Sequence, residues 1–168
     1  MTGYKGWIFQ KDDGTKLPEL GVGLTKEISM RFADAAVEFV RRGAESKKPF
    51  FLHVNFTAPH DPLLMPPGYK GVYDPDKMPL PKNFLPKHPF DHGNLEGRDE
   101  LLLPFPRTPE DVRADLAVYY AVISHMDKQL GRMLDALRAT GQAERTYVIF
   151  TSDQGLAVGS HGDRKSVV

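Results

Sequence analysis

Cysteine is absent from the 168 residues, which excludes disulfides, thiolate metal sites and a cysteine nucleophile within them. Neither sign of charge is in excess, since 22 Lys and Arg face 22 Asp and Glu. No net field therefore draws the chain toward nucleic acid or anionic lipid, and a charged ligand has to be held by local geometry. No apolar run approaches the ~20 residues of a membrane-spanning helix. Met1-Thr2-Gly3-Tyr4-Lys5-Gly6-Trp7 lacks the apolar core of a signal peptide, so any export signal is expected outside these residues. What is present is ordinary for a globular chain: 40% hydrophobic residues, and length for one domain or part of one.

Local patterns divide the chain. Residues 1–24 are rich in Gly, Lys and Asp and read as loop, with a short strand at Trp7-Ile8-Phe9. Ile28, Phe32, Ala35, Ala36, Phe39 and Val40 then recur at helical spacing, predicting an amphipathic helix over residues 25–42 with Thr25 as N-cap and Gly43 beyond its end. Residues 50–56, aromatic and β-branched, read as a buried strand that stops at Thr57-Ala58-Pro59-His60-Asp61-Pro62. Residues 62–109 are dense in proline and carry no period. Their scattered aromatic and aliphatic residues favour a packed loop over a solvated one. Thr108-Pro109-Glu110-Asp111 supplies an N-cap, a proline at the first helical position and first-turn acids. Leu116, Tyr120, Ile123, Asp127, Leu130, Leu134 and Leu137 continue as one stripe, predicting a helix over 109–140. Residues 146–151 read as a second buried strand ending at Ser152-Asp153-Gln154-Gly155.

Two apolar strands joined by a crossover with a long helix imply parallel neighbours, since a tight turn joins only antiparallel ones. The expected fold class is α/β. Ligands in such sheets collect outside the carboxyl ends of the strands, where His60 and Asp153 both fall.

Several side chains there have the right chemistry, each with a plainer explanation beside it. An imidazole at His60 could donate to an anionic oxygen or protonate a leaving group, although loops hold many idle histidines. Asp153 and Gln154 offer a carboxylate and an amide oxygen suited to a hard divalent cation such as calcium; two oxygens do not complete its shell, and an Asp in Ser-Asp-x-Gly more often caps a turn. His161 follows closely enough to face the same pocket, or to be an exposed loop residue. Asp127 on the apolar stripe would need a buried partner. His53 reads as a satisfied core histidine. His88 and His92 have the spacing of a helical zinc pair, but Pro89 and Gly93 argue against a helix.

Lys48-Pro49-Phe50-Phe51-Leu52, Ala58-Pro59-His60-Asp61-Pro62, the helix bearing Asp127 and Gly131-Arg132, and Phe150-Thr151-Ser152-Asp153-Gln154-Gly155 with Gly159-Ser160-His161-Gly162 together resemble the type I sulfatases of the alkaline phosphatase superfamily. Order and spacing match over residues 25–162. The resemblance implies a partial sulfatase-like fold of parallel strands and crossover helices, and hydrolysis of sulfate esters. It implies that Asp153 and Gln154 are calcium ligands, that His60 contacts the ester near its leaving oxygen, and that His161 lies on the substrate side. The implied partner is a sulfate-ester small molecule or a sulfated glycan.

The departures are as specific as the matches. The family nucleophile is a formylglycine made from Cys or Ser in a Cys/Ser-x-Pro/Ala-x-Arg motif, and this chain has neither a Cys nor a Ser heading that motif. The N-terminal pair of Asp ligands has no counterpart. The family lysine expected five residues after His161 meets Ser166. Residues 163–168 match the translation of a short-read sequencing adapter and are expected to be a non-native tail after Gly162. The expectation is an internal piece of a sulfatase, residues 1–162, inactive alone. The alternatives are a phosphomonoesterase or phosphodiesterase of the same superfamily, and a non-catalytic binding domain.

Overall fold

The computed structural model describes residues 5–46 and 48–165. Lys47, the first four residues and Ser166, Val167 and Val168 of the expected tail lie outside the described residues. Two α-helices carry the architecture: α1, Ile28–Ser46, and α2, Pro109–Ala139.

The start of α2 follows its local chemistry. Thr108 is extended and its Oγ1 accepts the Asp111 N–H at 3.1 Å, while its hydroxyl donates to Asp111 Oδ2 at 2.8 Å. Pro109 costs nothing in the first turn because its missing N–H would have had no intrahelical partner. The start of α1 differs from expectation. Thr25 contributes only its carbonyl, accepting the Ile28 N–H at 3.3 Å, and its buried Oγ1 has no hydrogen-bond partner. The helix also runs through Gly43 to Ser46, since Ala44-Glu45-Ser46 are tolerant of helix, and the Phe50 ring, 3.3 Å from where a Gly43 Cβ would stand, packs closely on the glycine.

Both helices share a core of Val37, Val40, Ala136 and Leu137, flanked by Phe50, Leu52, Met133 and Leu134. Burying Val40 and Leu137 is worth about 1.5–3 kcal/mol each. Polar ties sit on the rim of this core: Arg132 Nη2 donates to Asp34 Oδ1 at 2.6 Å, and Gln142 Nε2 to the Val40 carbonyl at 3.0 Å. Asp127 is exposed, so it needs no partner; the buried face of α2 is set by Val112, Leu116, Ala121, Val122, His125 and Gln129 instead.

The proline-dense segment is a packed loop, as its aromatic content predicts. Its only regular pieces are the 3-10 turns Pro75–Lys77 and Glu100–Leu102. It packs along α2 through a second core of Leu103, Val112, Leu116 and Val158, joined by Met78, Leu80 and Phe84. Near the N-terminus, Ile8 bridges Val22 and Gln10 bridges Lys16, and Trp7, Phe9, Phe32 and Phe56 form a chain of edge-on and tilted rings.

The two expected strands are where the sequence reading and the structure part. Among the described residues no strand ladder forms, and the expected burial fails: Phe51 is 88% exposed and Tyr147 is 98% exposed. Residues 50–56 keep the alternation of a strand, with Phe50, Leu52, Val54 and Phe56 half-buried and Phe51, His53 and Asn55 exposed. One face thus rests on the helices. A strand needs a neighbour to take its N–H and C=O groups, and among the described residues none pairs with either segment. The same geometry leaves His53 exposed instead of in a core.

Candidate functional site

The turn carrying His60 is pinned by its own backbone. The His60 N–H donates to the Thr57 carbonyl at 2.9 Å, and the ring approaches the Asp61 carbonyl through Nδ1 at 2.8 Å. A carbonyl only accepts, so Nδ1 carries the proton, and chemistry at this ring would run through Nε2. Beside it lies a cavity of ≈ 30 Å³ bounded by His60, His125, Thr25, Thr57 and Leu64. That is room for about one water-sized group and too little for an ester.

Asp61, next in sequence, is 1% exposed and receives Arg164 Nη1 at 2.6 Å. Arg164 also contacts Asp115 at 3.2 Å, and burial raises the Asp115 pKa above the ordinary carboxylate value despite that guanidinium. Glu100, fully buried, pairs with the equally buried Arg107 and accepts the Arg164 N–H at 2.9 Å and the Lys165 N–H at 2.6 Å. Arg107 in turn donates to the Gly162 carbonyl. Asp99 is held far below the usual carboxylate range by Arg98 at 2.6 Å and then by Lys165 at 2.6 Å. This buried ionic group fastens the His161 loop to the end of the proline-rich segment and to the His60 turn. Of the six residues expected to be non-native, Arg164 and Lys165 take part in it, and Asp163 Oδ1 meets His92 Nε2 at 3.1 Å beside it.

The His161 loop is tightly specified. His161 is exposed, adopts the left-handed φ of 56°, and donates its N–H to the Asn83 carbonyl at 2.9 Å. Gly162 follows at φ 83°, and a Cβ there would overlap the backbone of Lys87 and His88. Asp153 is also exposed; its Oδ1 accepts the Gln154 N–H at 2.7 Å, while Ser152 Oγ donates to the Gln154 carbonyl at 3.0 Å. Asp153 and Gln154 offer hard oxygen donors of the kind calcium prefers, and two such donors would leave most of a six- to eight-ligand shell unfilled. Among the described residues no group of three or more His, Asp and Glu could hold a metal ion.

Glu100, Arg107 and Asp99 were missed by sequence reasoning. The available signal was a charged triplet, Arg98-Asp99-Glu100, set against Leu101-Leu102-Leu103, which marks charges next to a segment bound for a core.

A pair of helices with a packed proline-rich excursion, and two histidine-bearing loops tied to it, define a class that comparison with other proteins identifies. The family model for sulfatases matches residues 4–166. An arylsulfatase of Clostridium perfringens is 33% identical over 75% of this chain and 26% of its own length. The multifunctional alkaline phosphatase superfamily protein PehA of Trinickia caryophylli is 30% identical over 96% of this chain and 37% of its own length. Among solved structures, the putative sulfatase yidJ of Bacteroides fragilis superposes with a TM-score of 0.58 at 27% identity, over 81% of this chain and 27% of its own. The chain belongs to the sulfatase family and has its alkaline-phosphatase-like fold, and it spans between a quarter and two-fifths of these relatives' lengths.

Proposed function

We propose that the protein takes part in hydrolysis of sulfate esters, with His60 at the leaving oxygen, His161 on the substrate side, and Asp153 with Gln154 as part of a calcium site. The observation that carries this reading is the family match over residues 4–166, which encloses all four positions. Bound calcium would draw charge from the sulfuryl oxygens. His60, with Nδ1 occupied by the Asp61 carbonyl at 2.8 Å, donates to a leaving oxygen from Nε2 only as the imidazolium. The 168 residues contain neither Cys nor Ser-x-Pro/Ala-x-Arg, so the formylglycine nucleophile is not among them, and the chain alone is expected to be inactive. For residues 50–56 and 146–151 we propose parallel strands, supported by the alternating exposure of the first segment and by the apolar run of the second.

A chimera tests the reading: residues 25–162 replace the matching segment of the C. perfringens arylsulfatase, and hydrolysis of p-nitrophenyl sulfate and p-nitrophenyl phosphate is compared. Sulfate hydrolysis, lost on His60→Ala, is expected. A folded chimera that cleaves only the phosphate ester moves the assignment to the phosphoesterases, and one that cleaves neither overturns the enzymatic role.

A further inference from the structure

We propose that the outer concavity of the proline-rich loop is a saccharide-binding subsite for a sugar ring of a sulfated glycan, which for its place in the reaction rests on the sulfatase reading. The concavity measures ≈ 640 Å³, within the ~300–1,000 Å³ usual for small-molecule sites. Lys87, His88, Phe90, Asp91, Glu96 and Phe105 line it.

Phe90 is 66% exposed, yet its ring is fixed. His88 stands edge-on to it at 4.3 Å and 88°, and His88 Nδ1 donates to the Phe90 carbonyl at 2.9 Å. Phe105 is fixed as well, with Lys87 Nζ at 5.7 Å and Arg107 Cζ at 4.2 Å from its ring centre. Phe90 does not stand alone: Leu95, Leu101 and Phe105 line the same concavity, with Leu101 55% exposed, and a contiguous apolar patch rimmed by polar groups marks a binding surface.

The mixture of groups selects the ligand. A sugar ring has an apolar face of C–H bonds and an edge of hydroxyls that both donate and accept. Phe90 suits the face. Asp91, whose Oδ1 takes the Gly93 N–H at 2.7 Å, offers Oδ2 to hydroxyl protons, as Glu96 offers its carboxylate. Lys87 donates and carries the charge that a sulfate or uronate group would meet. A lipid would want fewer charges, and a nucleotide would be repelled by the two acids.

Position supplies the link to the ester. The Gly162 position abuts the backbone of Lys87 and His88, and His161 is hydrogen-bonded to Asn83 at 2.9 Å. One wall of the concavity is therefore built on the segment that holds the loop of His161, and this shared support is what would set the sugar ring beside the ester.

The test is an NMR titration of the ¹⁵N-labelled chain with a heparin-derived sulfated disaccharide, its desulfated counterpart, and inorganic sulfate. Both disaccharides should shift amides within residues 87–105 and sulfate alone should not. Phe90→Ala should weaken both disaccharides at least tenfold, and Lys87→Ala should weaken the sulfated one more. Glu96→Gln, an exposed change, gives a second reading if Phe90→Ala alters the melting curve, with a several-fold loss expected. Absence of disaccharide shifts, losses in neither Phe90→Ala nor Glu96→Gln, or shifts from sulfate but not from the desulfated sugar would each overturn the subsite. Failure of the sulfatase reading would show separately, as a chimera without sulfate hydrolysis beside intact saccharide binding.

Discussion

Gln129 Nε2 lies 3.2 Å from His125 Nε2, and the direction of that hydrogen bond is fixed from the far side. Gln129 Oε1 accepts Arg132 Nη1 at 2.8 Å, and Arg132 Nη2 reaches Asp34 of α1 at 2.6 Å. The amide must therefore present its NH2 to the histidine, and His125 accepts as a neutral ring protonated at Nδ1. Burial first, and then the charge of Lys128, holds the His125 pKa below its ordinary 6.5.

The sign of the pH effect follows. A histidine with a depressed folded pKa leaves the unfolded chain binding the extra proton first, so stability is complete above about pH 6.5 and declines as pH falls below it. The slope from this residue is at most about 1.4 kcal/mol per pH unit. Melting temperatures from pH 7.5 to 5.5 should fall less steeply for His125→Asn than for the parent chain. Parallel curves would show that His125 does not set the slope.

Removal of the α2 cap, by Thr108→Ala, should destabilise the chain by about 1 kcal/mol, because the Asp111 N–H loses its acceptor at 3.1 Å. Thr108→Ser should keep most of the stability. Urea denaturation of the three proteins gives the comparison.

The cap also shows which features the sequence carries openly. Thr108 through Asp111 specify a helix start with groups a few residues apart, so no distant contact is needed to read them. The second end of α1 is less legible, because Gly43 reads as a stop, while its place inside the helix under the Phe50 ring is a contact that no local pattern reports. The burial of His125 is not legible locally, since it is set by neighbours such as Tyr69, 5.4 Å away between ring centres but far along the chain. Arg107 is illegible for the same reason, whereas Glu100 has one local signal, its place in the charged triplet beside Leu101-Leu102-Leu103. The apolar character of residues 50–56 and 146–151 was read correctly, but their burial depends on ladder partners, which composition does not report. Of the candidate site, the turn of His60 and the loop of His161 were legible as motifs, and the ionic group fastening them was not.

Arg107 and Glu100 are both fully buried, so deleting one charge strands the other. Arg107→Met should cost about 3–5 kcal/mol, and the double change Arg107→Met with Glu100→Met should cost less than the sum of the single changes. Chemical denaturation of the four proteins closes the cycle; additive losses would show that the two side chains do not depend on each other.

Ile149 is 87% exposed within an apolar run that forms no strand ladder among the described residues. Such segments pair with other chains, so the protein should self-associate as its concentration rises. Ile149→Lys should reduce the scattering of concentrated samples and leave the melting temperature within about 2 °C, since the side chain touches little of either core. Unchanged association would place the sticky surface elsewhere.

Ser124 on α2 receives two tyrosines of the proline-rich excursion: Tyr73 meets its Oγ at 2.6 Å, and Tyr69 donates to its carbonyl at 3.4 Å. The root of the excursion is thereby moored to the long helix, while its crest around Phe90 reaches into solvent. A segment built this way is variable at its exposed side chains: Phe90, Asp91 and Glu96 can change without loosening its moorings, whereas the backbone of Lys87 and His88 and the ring of His92 are held by Gly162 and Asp163. Descendants of such a chain could acquire new tastes in ligand while inheriting an unaltered frame.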